Sequence, residues 1–240
     1  MRPVRRSTSQ LAVPLVESPS LRAQIHERIR AAILDGTLPA GSVLSPAALA
    51  KQMGASTMPV REAIRLLEEE GLVEISARRW TRVTVPDESL AVEIYPLVGM
   101  LEASAVRESP LPDRERLARL RAANDELERA GREADVLRAI NADTAFHEAL
   151  VEEARNRTLR GTIGDLKGKI RLLEGVFFRA ERTQISVRQH NEIIAALRDG
   201  DADAAAAATQ RNWGYGLDAL HGVLADRASA DGGTPSAATE

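Results

Sequence analysis

From Leu21 the chain sets apolar residues at Leu21, Ile25, Ile29, Ala32 and Ile33 with polar residues between them, the spacing of a helix with one buried face. Asp35-Gly36 ends the run, because glycine reaches the left-handed conformation that stops a helix. Ser45-Pro46 then offers an N-cap and a proline at the first helical position, and Leu49 and Met53 form the inward side of a second helix up to Gly54. Ser56 is placed to cap a third helix, in which Val60, Ala63, Ile64 and Leu67 turn inward until Gly71. The pattern next predicts two short strands, Leu72 to Ile75 and Arg82 to Val85, joined by Ser76 to Thr81, with Pro86 as the boundary.

Beyond Asp87 the pattern is helical throughout, in segments of about 87–108, 112–130, 133–154, 157–180, 183–199 and 201–226. Pro110, Pro112, Gly131, Asn156 and Gly200 punctuate them. The fold class expected is mainly α: a helix-turn-helix with a small β-hairpin wing over residues 20–85, then a six-helix bundle over 87–226. Residues 1–19 mix Pro, Ser and Arg without periodicity and predict a disordered basic arm; residues 227–240 predict a disordered tail.

Composition supports this outline. Apolar residues make up 44% of the 240, enough for an ordinary core, but aromatics only 3%, which favours helix packing over a sheet sandwich. The chain has no cysteine, which excludes a disulfide, a thiolate metal site and a cysteine nucleophile and fits a reducing cytoplasm. The apolar run after the basic start is broken by Pro14 and Glu17, too soon for a signal-peptide core or a membrane span. Through Val85 there are 12 Lys and Arg against 8 Asp and Glu, and beyond it 20 against 27, so a net +4 precedes a net −7. A basic head on an acidic body is the balance of a nucleic-acid-binding unit joined to a separate domain.

The second helix of a helix-turn-helix can lie in the major groove of B-DNA. Here its outward side carries Thr57, Met58, Arg61 and Arg65. A guanidinium can donate two hydrogen bonds to guanine or bind a phosphate; the same arginines would also suit a solvated face paired with Glu62, Glu68 or Glu69.

Ordered motifs extend this reading. Ile33-Leu34-Asp35-Gly36-Thr37-Leu38-Pro39, then Leu44-Ser45 and Leu49-Ala50, then Pro59-Val60-Arg61-Glu62-Ala63-Ile64, and finally Glu70-Gly71-Leu72-Val73 resemble the winged helix-turn-helix head of GntR-type transcription regulators. The resemblance implies a recognition helix in which Arg61 meets a base or phosphate beside Ser56, Thr57 and Arg65. It also implies a wing whose Arg78, Arg79 and Arg82 meet the minor groove or backbone. Three positions depart from the family pattern: Thr57-Met58 stand where Arg-Thr is usual, Pro46-Ala47 replace charged residues, and Trp80 replaces a glycine at the wing tip. An unusual operator sequence or weaker specificity is the expected result.

In the body, Asp143 and His147 lie four apart and so project from one side of a helix. Such a pair can ligate zinc, nickel or manganese, or can be a surface hydrogen bond. His190 is a third candidate ligand from another segment. Asp143, Phe146-His147, Asn156, His190, Ile193, Ala196-Leu197 and Asp201 resemble the helical FCD effector-binding domain of the FadR-like branch of the GntR family. That resemblance implies a divalent metal held by Asp143, His147 and His190 and used to capture a small carboxylate. The fourth ligand position falls at Asn212, and an arginine frequent in the first body helix is Val98. A polar pocket lined by the two histidines without metal is the alternative. Gly161, Gly164 and Gly168 recur along one helix, where they would permit close packing or reflect tolerance of weak helix formers. His26 and His221 read as surface or capping residues, and Trp213 as core.

Together these features predict a cytoplasmic, non-enzymatic regulator: a homodimer on an inverted-repeat double-stranded DNA operator, a repressor by analogy, with a small carboxylate effector and no membrane. Two alternatives differ in class. A metal-dependent hydrolase would use Asp143, His147 and His190 to activate water, although His147-Glu148 opens a zinc-protease motif that Val151 breaks. A co-regulatory protein with degraded operator reading would account for Thr57, Met58 and Trp80.

Overall fold

A computed structural model describes residues 20–77, 79–177 and 183–231; the expected disordered arm lies outside them. The head contains α1 (Leu21–Leu34), α2 (Pro46–Met53), α3 (Thr57–Glu69), β1 (Val73–Ser76) and β2 (Trp80–Val83). Ser20 and Ser45 cap α1 and α2, their hydroxyls accepting from the backbone N–H of Ala23 at 3.2 Å and Ala48 at 3.3 Å. Gly54 closes α2 in the left-handed conformation, φ 63°. Ser56 is the N-cap residue of α3 but makes no side-chain capping bond. Ile25, Ile29, Val60, Ile64 and Leu67, inward as helical phase predicts, form the centre of the head's apolar cluster with Leu72, whereas Leu21, expected on the same face, is exposed at the start of α1.

The strands sit one residue later and two residues earlier than the sequence suggests, pairing antiparallel from Val73 with Val83 to Ser76 with Trp80. Trp80 therefore begins β2 rather than forming the wing tip. The Arg82 guanidinium carbon lies 4.1 Å from the centre of its ring, a contact that residues two apart on one strand face can make. The turn before α2 runs beside β2: Leu44 N–H donates to Thr81 O at 2.7 Å and Val83 N–H to Ser42 O at 2.9 Å. These bonds fasten the wing to the helical part of the head.

The body contains α4 (Glu88–Glu108), α5 (Arg114–Arg132), α6 (Val136–Val151), α7 (Arg157–Phe177), α8 (Thr183–Arg198) and α9 (Ala202–Asp231). The last helix continues past the expected end at residue 226, so residues 227–231 are helical rather than a disordered tail. Phe146, Leu120, Leu150, Ile163 and Ile193 meet in the largest body cluster. α4 and α9 approach closely where glycine faces an aromatic residue: a Cβ on Gly99 would lie 3.0 Å from Trp213 Cβ, and one on Gly216 3.0 Å from Tyr95 Cε1. Gly161 and Gly164, by contrast, face open space and hold no neighbour close. α4 is long and apolar enough to cross a membrane, yet half of it is packed inside the body.

Two arginines join elements distant in sequence. Arg116, 2% exposed, donates to Ala149 O at 2.9 Å and Leu150 O at 2.6 Å, satisfying carbonyls that the end of α6 leaves without helical partners. Arg171 of α7 donates through Nε to Leu34 O, at the end of α1, at 2.8 Å. Leu172 beside it is buried in the head's cluster. Head and body thus share packed surface along α7, next to a cleft of about 710 Å³ lined by Arg30, Leu34, Asn141, Thr144, Lys167 and Arg171 among others.

Candidate DNA interface and metal centre

The third helix presents Ser56, Thr57, Met58, Arg61 and Arg65 to solvent, while Val60, Ala63, Ile64 and Leu67 are buried. Glu70, at the end of this helix, turns inward instead, receiving His26 Nε2 at 2.6 Å and Arg30 at 3.3 Å. His26 is accordingly a buried partner of Glu70 rather than a surface residue. On the wing, Arg79 is exposed. Arg82 is held by Glu74 at 2.8 Å across the strand pair and by the Trp80 ring, so part of its charge is already compensated. Arg78 lies outside the described residues.

In the body, α6 supplies Asp143 and His147 and α8 supplies His190, with their donor atoms within 4.8 Å of one another. His147 Nε2 is 3.8 Å from Asp143 Oδ2, and His190 Nε2 is 3.7 Å from Asp143 Oδ1. Both separations exceed a hydrogen bond. The opposite nitrogen of each ring is anchored: His147 Nδ1 lies 2.7 Å from Glu102 Oε2, and His190 Nδ1 3.0 Å from Asn124 Oδ1. Asn124 Nδ2 donates to the Val187 carbonyl at 3.1 Å, which fixes the amide so that its oxygen accepts from His190. His190 Nε2 then carries a lone pair, is buried, and makes no hydrogen bond within 3.5 Å among the described residues, with the Asn212 side chain close enough to influence it. Phe146 stacks on this ring with centroids 3.7 Å apart. Burial, reinforced by His147, holds the His190 pKa well below the usual histidine value, so the ring stays neutral and able to ligate.

Three carboxyl groups crowd the same region. Glu102 is fully buried; burial alone would oppose its ionisation, but His147, Lys167 at 3.1 Å and hydrogen bonds from His147 and Trp213 hold its pKa at about 2. Burial raises Asp143, and burial with the Asp143 charge pushes Glu174 up to about 8. A buried carboxylate whose ionisation is opposed, beside a buried imidazole nitrogen without a hydrogen bond among the described residues, is an environment that a divalent cation relieves. The donor set and the anchored rings therefore fit a metal, with Glu102 and Asn124 as the outer partners that orient ligating histidines.

Asn212 of α9 is buried near His190, and its Nδ2 donates to Gln189 Oε1 at 3.0 Å. The position to which the family resemblance assigns the fourth ligand thus carries an amide, a weaker donor than imidazole. Val98 is fully buried with Tyr95 and Trp213, so no anion clamp arises at that position. Sequence reasoning missed Glu102, Asn124, Lys167 and Glu174. Only Glu102 leaves a clear signal, a carboxylate within the apolar stretch of α4.

Residues 21–83 match the bacterial regulatory proteins of the gntR family, and residues 93–213 match the FCD domain. The Nta operon transcriptional regulator of Aminobacter aminovorans is 30% identical over 169 residues, covering 70% of this chain and 79% of its own length. The chain belongs to the GntR family and carries an FCD domain. The uncharacterized HTH-type transcriptional regulator YdhC of Bacillus subtilis (strain 168) is 28% identical, with 84% of this chain and 91% of that protein covered. A GntR transcriptional regulator structure from Rhodococcus sp. RHA1 superposes with a TM-score of 0.74 at 25% identity, over 85% of this chain and 99% of that one. The relatives are transcription regulators rather than enzymes, which sets aside the hydrolase alternative for Asp143, His147 and His190.

Proposed function

We propose that this GntR regulator represses transcription as a homodimer on an inverted-repeat operator, and that a metal-assisted small carboxylate in the FCD domain controls its hold on DNA. The observation that carries the regulatory half is the buried Nε2 of His190, which faces Asp143 at 3.7 Å and makes no hydrogen bond among the described residues. Asp143, His147 and His190 would hold zinc, nickel or manganese, with Asn212 or a water completing the shell. When bound, the ion supplies a Lewis-acidic position for an effector carboxylate. The exposed row Thr57, Arg61 and Arg65 supports placing α3 in the major groove, with Arg79 and Arg82 of the wing near the backbone. Val92, Leu97 and Met100 form an exposed apolar face on α4 suited to a second copy of the chain, which would give two heads for two half-sites. The sequence resemblance is to the FadR-like branch of the family, and the absence of cysteine suits the cytoplasm.

Arg171 supplies the physical link. Besides Leu34 O it donates to Thr144 Oγ1 at 3.0 Å and to Asn141 Oδ1, so it joins the end of α1 to the turn of α6 that carries Asp143. A change in α6 on ligand binding would be felt at the head.

Elemental analysis of protein purified without chelator tests the metal, with about one equivalent expected and its loss in Asp143→Ala. Gel-shift titration of Arg61→Ala tests the reading surface: unchanged operator affinity would defeat that placement. Light scattering after gel filtration tests the dimer.

A further inference from the structure

Met58 stands in the first turn of α3, two residues after the N-cap residue, with 66% of its surface exposed. The other exposed positions of that helix, Thr57, Arg61, Glu62, Arg65, Glu68 and Glu69, are all polar. Met58 belongs to neither apolar packing nor ion pairing of the head: the head's cluster comprises the opposite face of the helix. In a helix-turn-helix the N-terminal turn of the second helix is the part that meets base edges. Every major-groove edge displays polar donors and acceptors, and thymine alone adds a methyl group. A flexible thioether side chain can cover that methyl and cannot replace the two hydrogen bonds that an arginine would give guanine.

Arg61 follows Met58 by three residues, one helical turn along the same outward face. Three residues advance a helix by about 4.5 Å, against about 3.4 Å per base step along a DNA strand. The two side chains therefore reach positions one to two base pairs apart.

We propose that Met58 is a specificity-determining residue that reads the 5-methyl group of a thymine in each operator half-site, one to two base pairs from the position contacted by Arg61. This assignment rests on α3 being the DNA-reading helix and names the base chemistry that helix selects.

The test uses the full-length protein. Duplexes are selected from a randomised double-stranded library, and each thymine of the enriched sequence is then replaced by deoxyuridine, which removes only the methyl. Fluorescence anisotropy should show one symmetry-related pair of thymines whose replacement weakens binding by about fourfold per half-site, the worth of one buried methyl-sized group. Met58→Ala should bind the thymine and deoxyuridine duplexes equally, and Met58→Arg should shift the selected base at that position from thymine to guanine. Unchanged melting temperatures in both variants would show that the exposed position leaves the fold intact. If deoxyuridine has no effect on the wild type at any position, or the same effect in Met58→Ala, the assignment to Met58 is overturned while operator reading by α3 stands. If selection enriches no sequence at all, operator reading itself fails and the assignment falls with it.

Discussion

Replacing Arg171 by alanine removes three donors at once: those to Leu34 O at 2.8 Å, to Thr144 Oγ1 at 3.0 Å and to Asn141 Oδ1. The Leu34 carbonyl ends α1, where the helix concentrates partial negative charge, and so attracts a guanidinium. Hydrogen bonds from charged groups can each contribute roughly 1.5 to 3 kcal/mol when buried. Arg171 is only half-buried, which lowers the total for all three to about 2 to 3 kcal/mol. That sum falls within the roughly 1 to 3 kcal/mol typical of coupling between sites, so one side chain can carry most of the signal from α6 to the head. Hydrogen exchange read by mass spectrometry should show the amides around Asp35 and Leu38, which bond back to α1, opening roughly 30 to 150 times more readily in Arg171→Ala. Zinc stoichiometry should stay unchanged. Operator affinity measured by anisotropy, with and without zinc, should lose its zinc dependence, and Arg171→Lys should fall between. Wild-type exchange at the end of α1 together with an intact zinc response would refute the linkage.

Arg116→Met should cost about 3 to 5 kcal/mol, because the carbonyls of Ala149 and Leu150 and the Glu153 carboxylate lose a buried partner; thermal melts should fall by roughly 6 to 15 °C, and a loss under 3 °C would contradict that reading. Asn212→His should raise zinc affinity about tenfold or more in competition with a chelating dye; unchanged affinity would mean that residue 212 does not face the ion. Glu102 has a folded pKa of about 2 against an ordinary 4.5. Its contribution, about 3 kcal/mol, is thus fully present above pH 4.5 and lost as pH falls from 4.5 towards 2. Chemical denaturation of metal-free Glu102→Gln should show a flatter acid limb than the wild type, and an identical limb would assign the acid sensitivity elsewhere.

Legibility followed the range of the interactions. Helical phase alone sorted Val60, Ala63, Ile64 and Leu67 inward from Thr57, Met58, Arg61 and Arg65 outward, because that partition is settled within one helix. The four-residue spacing likewise brought Asp143 and His147 together. His190 stood out as a candidate by itself, but joining it to Asp143 and His147 in one site needed the family resemblance, since nothing local links α8 to α6. The hairpin shifted because its register depends on the turn at residues 42–44, which bonds to β2 from nearly forty residues upstream. Asn124 and Lys167 escaped notice for the same reason: each is polar on a helix with many polar positions, and only tertiary packing turns it towards a histidine or a buried carboxylate.

Arg61, Arg116 and Arg171 show where sequence phase stops being informative. All three sit on amphipathic helices rich in charge, and phase places Arg61 outward correctly because none of the described elements covers α3 there. Arg116 is the opposite case, nearly fully buried although charged, because the exposed carbonyls at the end of α6 need donors and the guanidinium has several. Arg171 lies between: it meets the end of α1 from one side and α6 from the other. The fate of each arginine is thus decided by whether another helix ends beside it. A helix terminus demands donors that a helix interior does not, and termini meet side chains only after the chain has folded. That dependence is why the outward arginine of α3 was legible in the sequence and the arginine joining the two halves was not.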